Sequence, residues 1–218
     1  MHLIAEFYRS TPGKKSVIAV TGIILFTCVL FHLLGNLQIF LGPEKFNSYA
    51  RLLHAAPGFL WAVRFVLFAA AFLHVITAVG VTLRNRGARP AGYAAVRYRE
   101  ADYAARTMIW SGMFIAVFTA YHVLHFTTGT IHPDFIRGDV YHNVTAGLRV
   151  PAVSVFYFAA SVLLGLHLYH GLWSVFQTVG LSHPLYDPWR RAFATFFSLV
   201  IVAGNVSILV AALLRPFS

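Results

Sequence analysis

Apolar residues in this chain come in long runs separated by short polar stretches. The first run, residues 17–41 (VIAVTGIILFTCVLFHLLGNLQIFL), holds 25 residues and no charge. At about 1.5 Å of rise per residue it is long enough to cross a bilayer core of roughly 30 Å. Four further apolar runs follow, at 58–83, 107–128, 151–180 and 192–214. The pattern predicts an all-α integral membrane protein with five transmembrane helices in one domain over residues 1–218. Between the first two runs, EKFNSYARLLHAAP sets Phe46, Tyr49, Leu52 and Leu53 at amphipathic spacing, which predicts a short interfacial helix. Residues 129–150, with Asp134 and Asp139, read as a polar loop.

Composition agrees with this reading. The chain is 58% hydrophobic and 11% charged, where a soluble domain carries about 25% charged residues. The single Cys28 forms no intrachain disulfide, and the lack of C-x-x-C-H excludes covalently attached c-type haem. The first run is too long for a cleavable signal peptide and no small-residue cleavage site follows it before Gly35-Asn36, so it is expected to be retained.

The formal net charge of +10 reflects topology and not nucleic-acid binding. One side of the five spans receives Arg9, Lys14, Lys15, Arg84, Arg86, Arg89, Arg97, Arg99, Arg106, Arg190 and Arg191. The other receives Lys45, Arg51, Arg64, Arg137, Arg149 and Arg215. Eleven against six places the N-terminus in the cytoplasm by the positive-inside rule. All seven acidic residues lie outside the spans or at their ends, which disfavours a carboxylate-lined ion or proton transporter.

The first four spans each bury histidine: His32, His74, His122 with His125, and His167 with His170. From Ser16 to His32, Gly58 to His74, Arg106 to His122 and Pro151 to His167 the count is 16 residues each time. Each helix therefore reaches its histidine about 24 Å after entry. Successive helices run in opposite directions, so His32 and His122 fall near the outer face and His74 and His167 near the inner face. In a core of roughly 30 Å the two levels lie about 18 Å apart. Two imidazoles at one level on different helices are what a bis-histidine haem needs, each giving one nitrogen to iron and the other N–H to a neighbour. Such ligation leaves no open iron position for substrate. Hydrogen-bonded helix packing is the alternative for any single histidine. His125 and His170 lie three residues beyond their neighbours, on nearly the same helical face. The equal count favours His122 and His167 as ligands but does not exclude the other two, for which propionate bonding, a quinone pocket or packing remain open.

The runs GKKSVIAVTGIILF, HLLGNLQIFLGPEKFNSYARLLH, FLHVITAVGVTLRNRGAR, YHVLHF and HLYHGLWSVFQTVGL resemble the membrane cytochrome b subunit of succinate dehydrogenase/fumarate reductase. The likeness is to the single-subunit, five-helix, two-haem class, the cytochrome b558 family, and spans nearly the whole chain. It implies two haem b groups, with axial ligands His32 (HLLGN), His74 (FLHV), His122 (YHVLH) and His167 (HLYHGLW), paired first with third and second with fourth. It also implies a flavoprotein and an iron–sulfur subunit on the cytoplasmic side of a bacterial inner membrane, and a membrane quinone, usually menaquinone, as redox partner. A buried acid near the fourth ligand, which in some fumarate-reducing members carries protons, is absent: Leu164, Gly165 and Leu166 precede His167.

The function expected on this basis is electron relay from the iron–sulfur subunit to quinone, with no succinate chemistry in this chain. His54 and Arg64, at the outer end of span two, are the candidate quinone contacts. The arginine-rich connection meets the iron–sulfur subunit, haem propionates or lipid headgroups. Two alternatives are a cytochrome b anchoring another dehydrogenase, such as a hydrogenase or nitrate reductase, and a non-haem membrane protein. A bc-type cytochrome b puts two ligands on each of two helices, whereas here they are spread over four.

Overall fold

A computed structural model describes residues 6–8, 10–87, 103–181 and 183–214, except for the side chains of residues 86 and 103–106. The described residues form helices and no strands, and among them five helices are long and apolar enough to cross a membrane: Thr11–Leu41, Pro57–Asn85, Thr107–Thr127, Pro151–Thr178 and Pro184–Leu214. In the arginine-rich connection, Arg89, Arg97 and Arg99 lie outside the described residues, as do Arg9 and Arg215.

The first spanning helix, α1 (Thr11–Asn36), starts six residues before its apolar run. Ser10 caps it, its hydroxyl accepting from the Gly13 amide at 3.0 Å, and a proline occupies the first turn. The apolar count marks the stretch suited to hydrocarbon, whereas the cap marks where the helix begins. Beyond Asn36 the chain tightens into a 3₁₀ segment (Leu37–Leu41) and stops at Gly42, whose φ of 93° suits a residue without Cβ. The predicted interfacial helix is present as α2 (Pro43–His54), with Phe46 buried and Leu52 exposed.

Helices α3 (Pro57–Gly87) and α4 (Tyr103–His122) follow, and α4 closes in a π turn over Val123–Thr127. The stretch read as a polar loop contains a helix, α5 (Val140–Arg149). Asp139 caps it by accepting from the His142 amide at 3.0 Å, and Asn143, Thr145, Gly147 and Leu148 are buried. Its sequence, VYHNVTAGLR, is short and rich in weak helix formers, so packing supplies what propensity does not. The last two spans are α6 (Pro151–Thr178) and α7 (Asp187–Leu214).

The apolar core lies mainly between α1, α6 and α7, around Leu33, Leu168, Leu172, Ile201 and Ile208. Leu33 sits where a Cβ on Gly204 would be, and Val202 where one on Gly165 would be, so small residues let these helices approach closely. In contrast, α3 and α4 bury little besides Ala70, Thr77 and Ser111. The side of the bundle where α1 begins is called the N-face below, and the opposite side the far face.

Candidate functional site

The four depth-matched histidines meet in two pairs across helices. His32 of α1 faces His122 of α4 with ring centroids 5.7 Å apart, and His74 of α3 faces His167 of α6 at 6.4 Å. His32 is exposed and the other three are half-buried. The two helices of each pair run in the same direction, so equal rise is enough to bring these side chains level.

At the N-face pair the surroundings dictate the protonation state of both rings. Thr21 Oγ1 of α1 donates to the Val17 carbonyl at 2.6 Å, as helix-borne hydroxyls do. Its one hydrogen is thus committed, so it accepts from His74 Nδ1 at 3.0 Å. Ser111 Oγ of α4 likewise donates to the Met108 carbonyl at 3.1 Å and accepts from His167 Nδ1 at 3.2 Å. Each ring carries its proton on Nδ1, which leaves the Nε2 lone pair for another partner. A glycine follows each hydroxyl residue. A Cβ on Gly22 would stand 3.4 Å from His74 Cε1, and one on Gly112 3.3 Å from His167 Cε1.

The far-face pair is held differently. His122 Nδ1 lies 3.2 Å from the Tyr157 hydroxyl of α6, and His125 Nδ1 lies 3.3 Å from the same oxygen. His125 is 1% exposed and stacks on His132 at 4.8 Å between centroids. The Asp134 amide donates to His132 Nδ1 at 3.1 Å, so His132 Nε2 donates to the Asn143 carbonyl at 2.9 Å. Asn143 in turn bonds the backbone N–H and C=O of Ile136, both at 2.8 Å. The Asn47 side chain of α2 ties the cap together, donating to Asp139 at 2.9 Å and accepting from the Tyr141 amide at 3.0 Å.

Of the remaining expected residues, His125 is packed into this cap, and His170 lies edge-on to Trp173 at 5.9 Å. His54 is exposed and its Nδ1 donates to the Ala50 carbonyl at 2.8 Å. The Arg64 guanidinium lies over the Trp61 ring at 5.1 Å. Each of these two is engaged within its own helix.

No family model, no curated protein and no solved structure matches this chain. Its chemistry is therefore read from the donor set. Among the described residues no group of three or more His, Cys, Asp or Glu side chains converges on a point. A zinc ion takes three or four protein ligands. A macrocycle that brings its own nitrogen donors needs only two axial ligands. A metal about 2 Å from each of two imidazole nitrogens sets their ring centres about 6 Å apart, the scale of both pairs. The donor set fits haem.

The sequence reading missed Thr21, Ser111 and Tyr157. A signal was there for the first two: Thr21-Gly22 precedes His32 by the same eleven residues as Ser111-Gly112 precedes His122. Hydroxyl, glycine, nine residues, histidine is a repeat shared by α1 and α4. Eleven residues of helix span about 16 Å, close to the separation of about 18 Å expected between the two levels.

Proposed function

We propose that this chain is the membrane anchor of a succinate:quinone oxidoreductase of the cytochrome b558 class, holding two haem b groups among α1, α3, α4 and α6. The observation that carries the reading is the pair of cross-helix histidine couples, one of them with each Nδ1 set against a hydroxyl of a neighbouring helix. The resemblance of the sequence runs quoted above supports the class. His74 and His167 would hold one haem at the N-face, and His32 and His122 the other at the far face. When bound, the haems supply one-electron transfer between an iron–sulfur subunit and a membrane quinone.

The chain's own part is to hold and to exclude. Thr21 and Ser111 keep the His74 and His167 protons on Nδ1, away from the coordinating nitrogen. Tyr157 braces His122, and His125 and His132 are buried under the α5 cap. By the positive-inside rule the N-face is cytoplasmic, in a bacterial inner membrane, and there the flavoprotein and iron–sulfur subunits dock. Quinone, in this reading menaquinone, binds on the far face near His54 and Arg64. A charge at the head of a span is costly unless it serves a polar site or reaches the interface.

Two measurements test the proposal. A pyridine haemochrome assay is expected to return two protohaems per chain, both low-spin, and one or none would remove the relay as drawn. His54→Ala and Arg64→Leu are expected to lower quinone reductase activity while both haems and dye-linked succinate oxidation persist. Normal quinone turnover in both variants would refute the far-face site.

A further inference from the structure

We propose that Thr21 and Ser111 are positioning residues for the N-face pair: helices that give their own histidines to the far face set the tautomer and orientation of the rings at the other level. The inference rests on the haem reading above and adds residues that reading does not require.

A neutral imidazole has two tautomers, and only one leaves the coordinating nitrogen with a lone pair. In this apolar bundle the groups that choose between them are the two hydroxyls and the Ile18 and Met108 carbonyls beside them, which also meet the His74 and His167 rings. A serine or threonine hydroxyl on a helix normally gives its hydrogen to a carbonyl of the preceding turn, which leaves it an acceptor toward anything else. Thr21 does so toward the Val17 carbonyl and Ser111 toward that of Met108, and each then meets an Nδ1, at 3.0 and 3.2 Å. Both hydroxyl residues are buried, at 6% and 2% exposure. The next residue in both cases is glycine, and an added Cβ would reach the ring edge at 3.4 and 3.3 Å, in ordinary to slightly tight contact. The hydroxyl, with the Ile18 or Met108 carbonyl beside it, holds the proton on Nδ1, and the glycine leaves room for the ring edge.

One such contact would be ordinary helix packing. The same chemistry on two helices, each eleven residues before a far-face histidine, is a repeated device. The far-face pair lacks it, since His122 shares Tyr157 with His125. A hydrogen bond accepted from Nδ1–H makes the imidazole a more basic ligand, which favours the oxidised state of a metal bound at Nε2. Its removal is therefore expected to raise the midpoint potential of the N-face centre alone.

The test uses the full-length chain in membranes with Thr21→Val, Ser111→Ala, their combination, and Thr21→Ser as the conservative control. The N-face centre is the one lost in His74→Ala. Redox titration followed by electron paramagnetic resonance is expected to show that centre shifted upward, with altered low-spin g values, in the Val and Ala variants and further in the double variant. Thr21→Ser restores both values, and the far-face centre does not move. An unshifted N-face centre in the double variant overturns the proposal. So does loss of both centres in Thr21→Val, because the hydroxyl would then be holding helices and not a ring. A colourless unmodified chain would defeat the haem reading separately. The tautomer then remains measurable in ¹⁵N-histidine spectra, with a single Nδ1–H form at positions 74 and 167 that becomes mixed in the variants. Mixed tautomers in the unmodified chain would overturn the assignment.

Discussion

The N-face pair sits among spanning helices alone, while the far-face pair sits beneath a cap made of α2, α5 and the turns between α4 and α5. His74 and His167 each rest on a hydroxyl–glycine step of a neighbouring helix. At the other level, His122 is reached through Tyr157, which His125 also uses, and His125 is fixed in turn by His132 and Asn143. One site is organised by register within the helices, and the other by a folded segment between them. Two histidine pairs of the same chemistry need not share their supports, so damage to one support is expected to leave the other pair standing.

The largest test of that separation is removal of a ligand. His167→Ala is expected to remove the N-face haem and His122→Ala the far-face one, halving haem content each time while the remaining low-spin spectrum persists. His125→Ala and His170→Ala are expected to keep both. If His170→Ala took the N-face haem and His167→Ala did not, the ligand assignment within HLYHG would be reversed.

A smaller effect comes from the cap. A Cβ on Gly147 would lie 2.8 Å from His125 Cε1 and from Phe126 Cε1, and 2.9 Å from His132 Nε2. Gly147→Ala is expected to cost about 1–3 kcal/mol by overpacking. Thermal unfolding followed at the Soret band should show the far-face spectrum lost at lower temperature than in the unmodified chain, with the N-face spectrum lost later. Simultaneous loss of the two would show that the levels are mechanically one unit. The smallest effect is that of Tyr157→Phe, which deletes one hydroxyl worth about 1 kcal/mol of hydrogen bonding. It is expected to alter the far-face resonance signature and leave that of the N-face unchanged.

The pairing of the histidines was legible because it depends on quantities a sequence states: helix length, direction and a fixed rise per residue. The five spanning helices were legible for the same reason. Their ends were not, since α1 begins at its Ser10 cap while the apolar run begins at residue 17. The helix α5 was hidden because its stability comes from burying Asn143, Thr145, Gly147 and Leu148, and a ten-residue segment carries little signal of its own. Thr21 and Ser111 looked like ordinary small residues of a membrane helix. What marks them is a repeat between α1 and α4 that emerges only when those two spans are aligned on their histidines.

The distribution of the pairs over the chain also sets an order for biosynthesis. Each couple joins a residue from the first two spans to one from the next two, so neither half of the polypeptide can close a site by itself. As the chain leaves the ribosome and enters the bilayer, His32 can meet His122 once α4 is inserted. His74 must wait for α6 to deliver His167, and Tyr157 arrives on that same helix. Closure of the N-face pair is thus a late event in synthesis, and a nascent chain stalled before α6 would hold both Thr21 and Ser111 ready with only one of their two rings to receive.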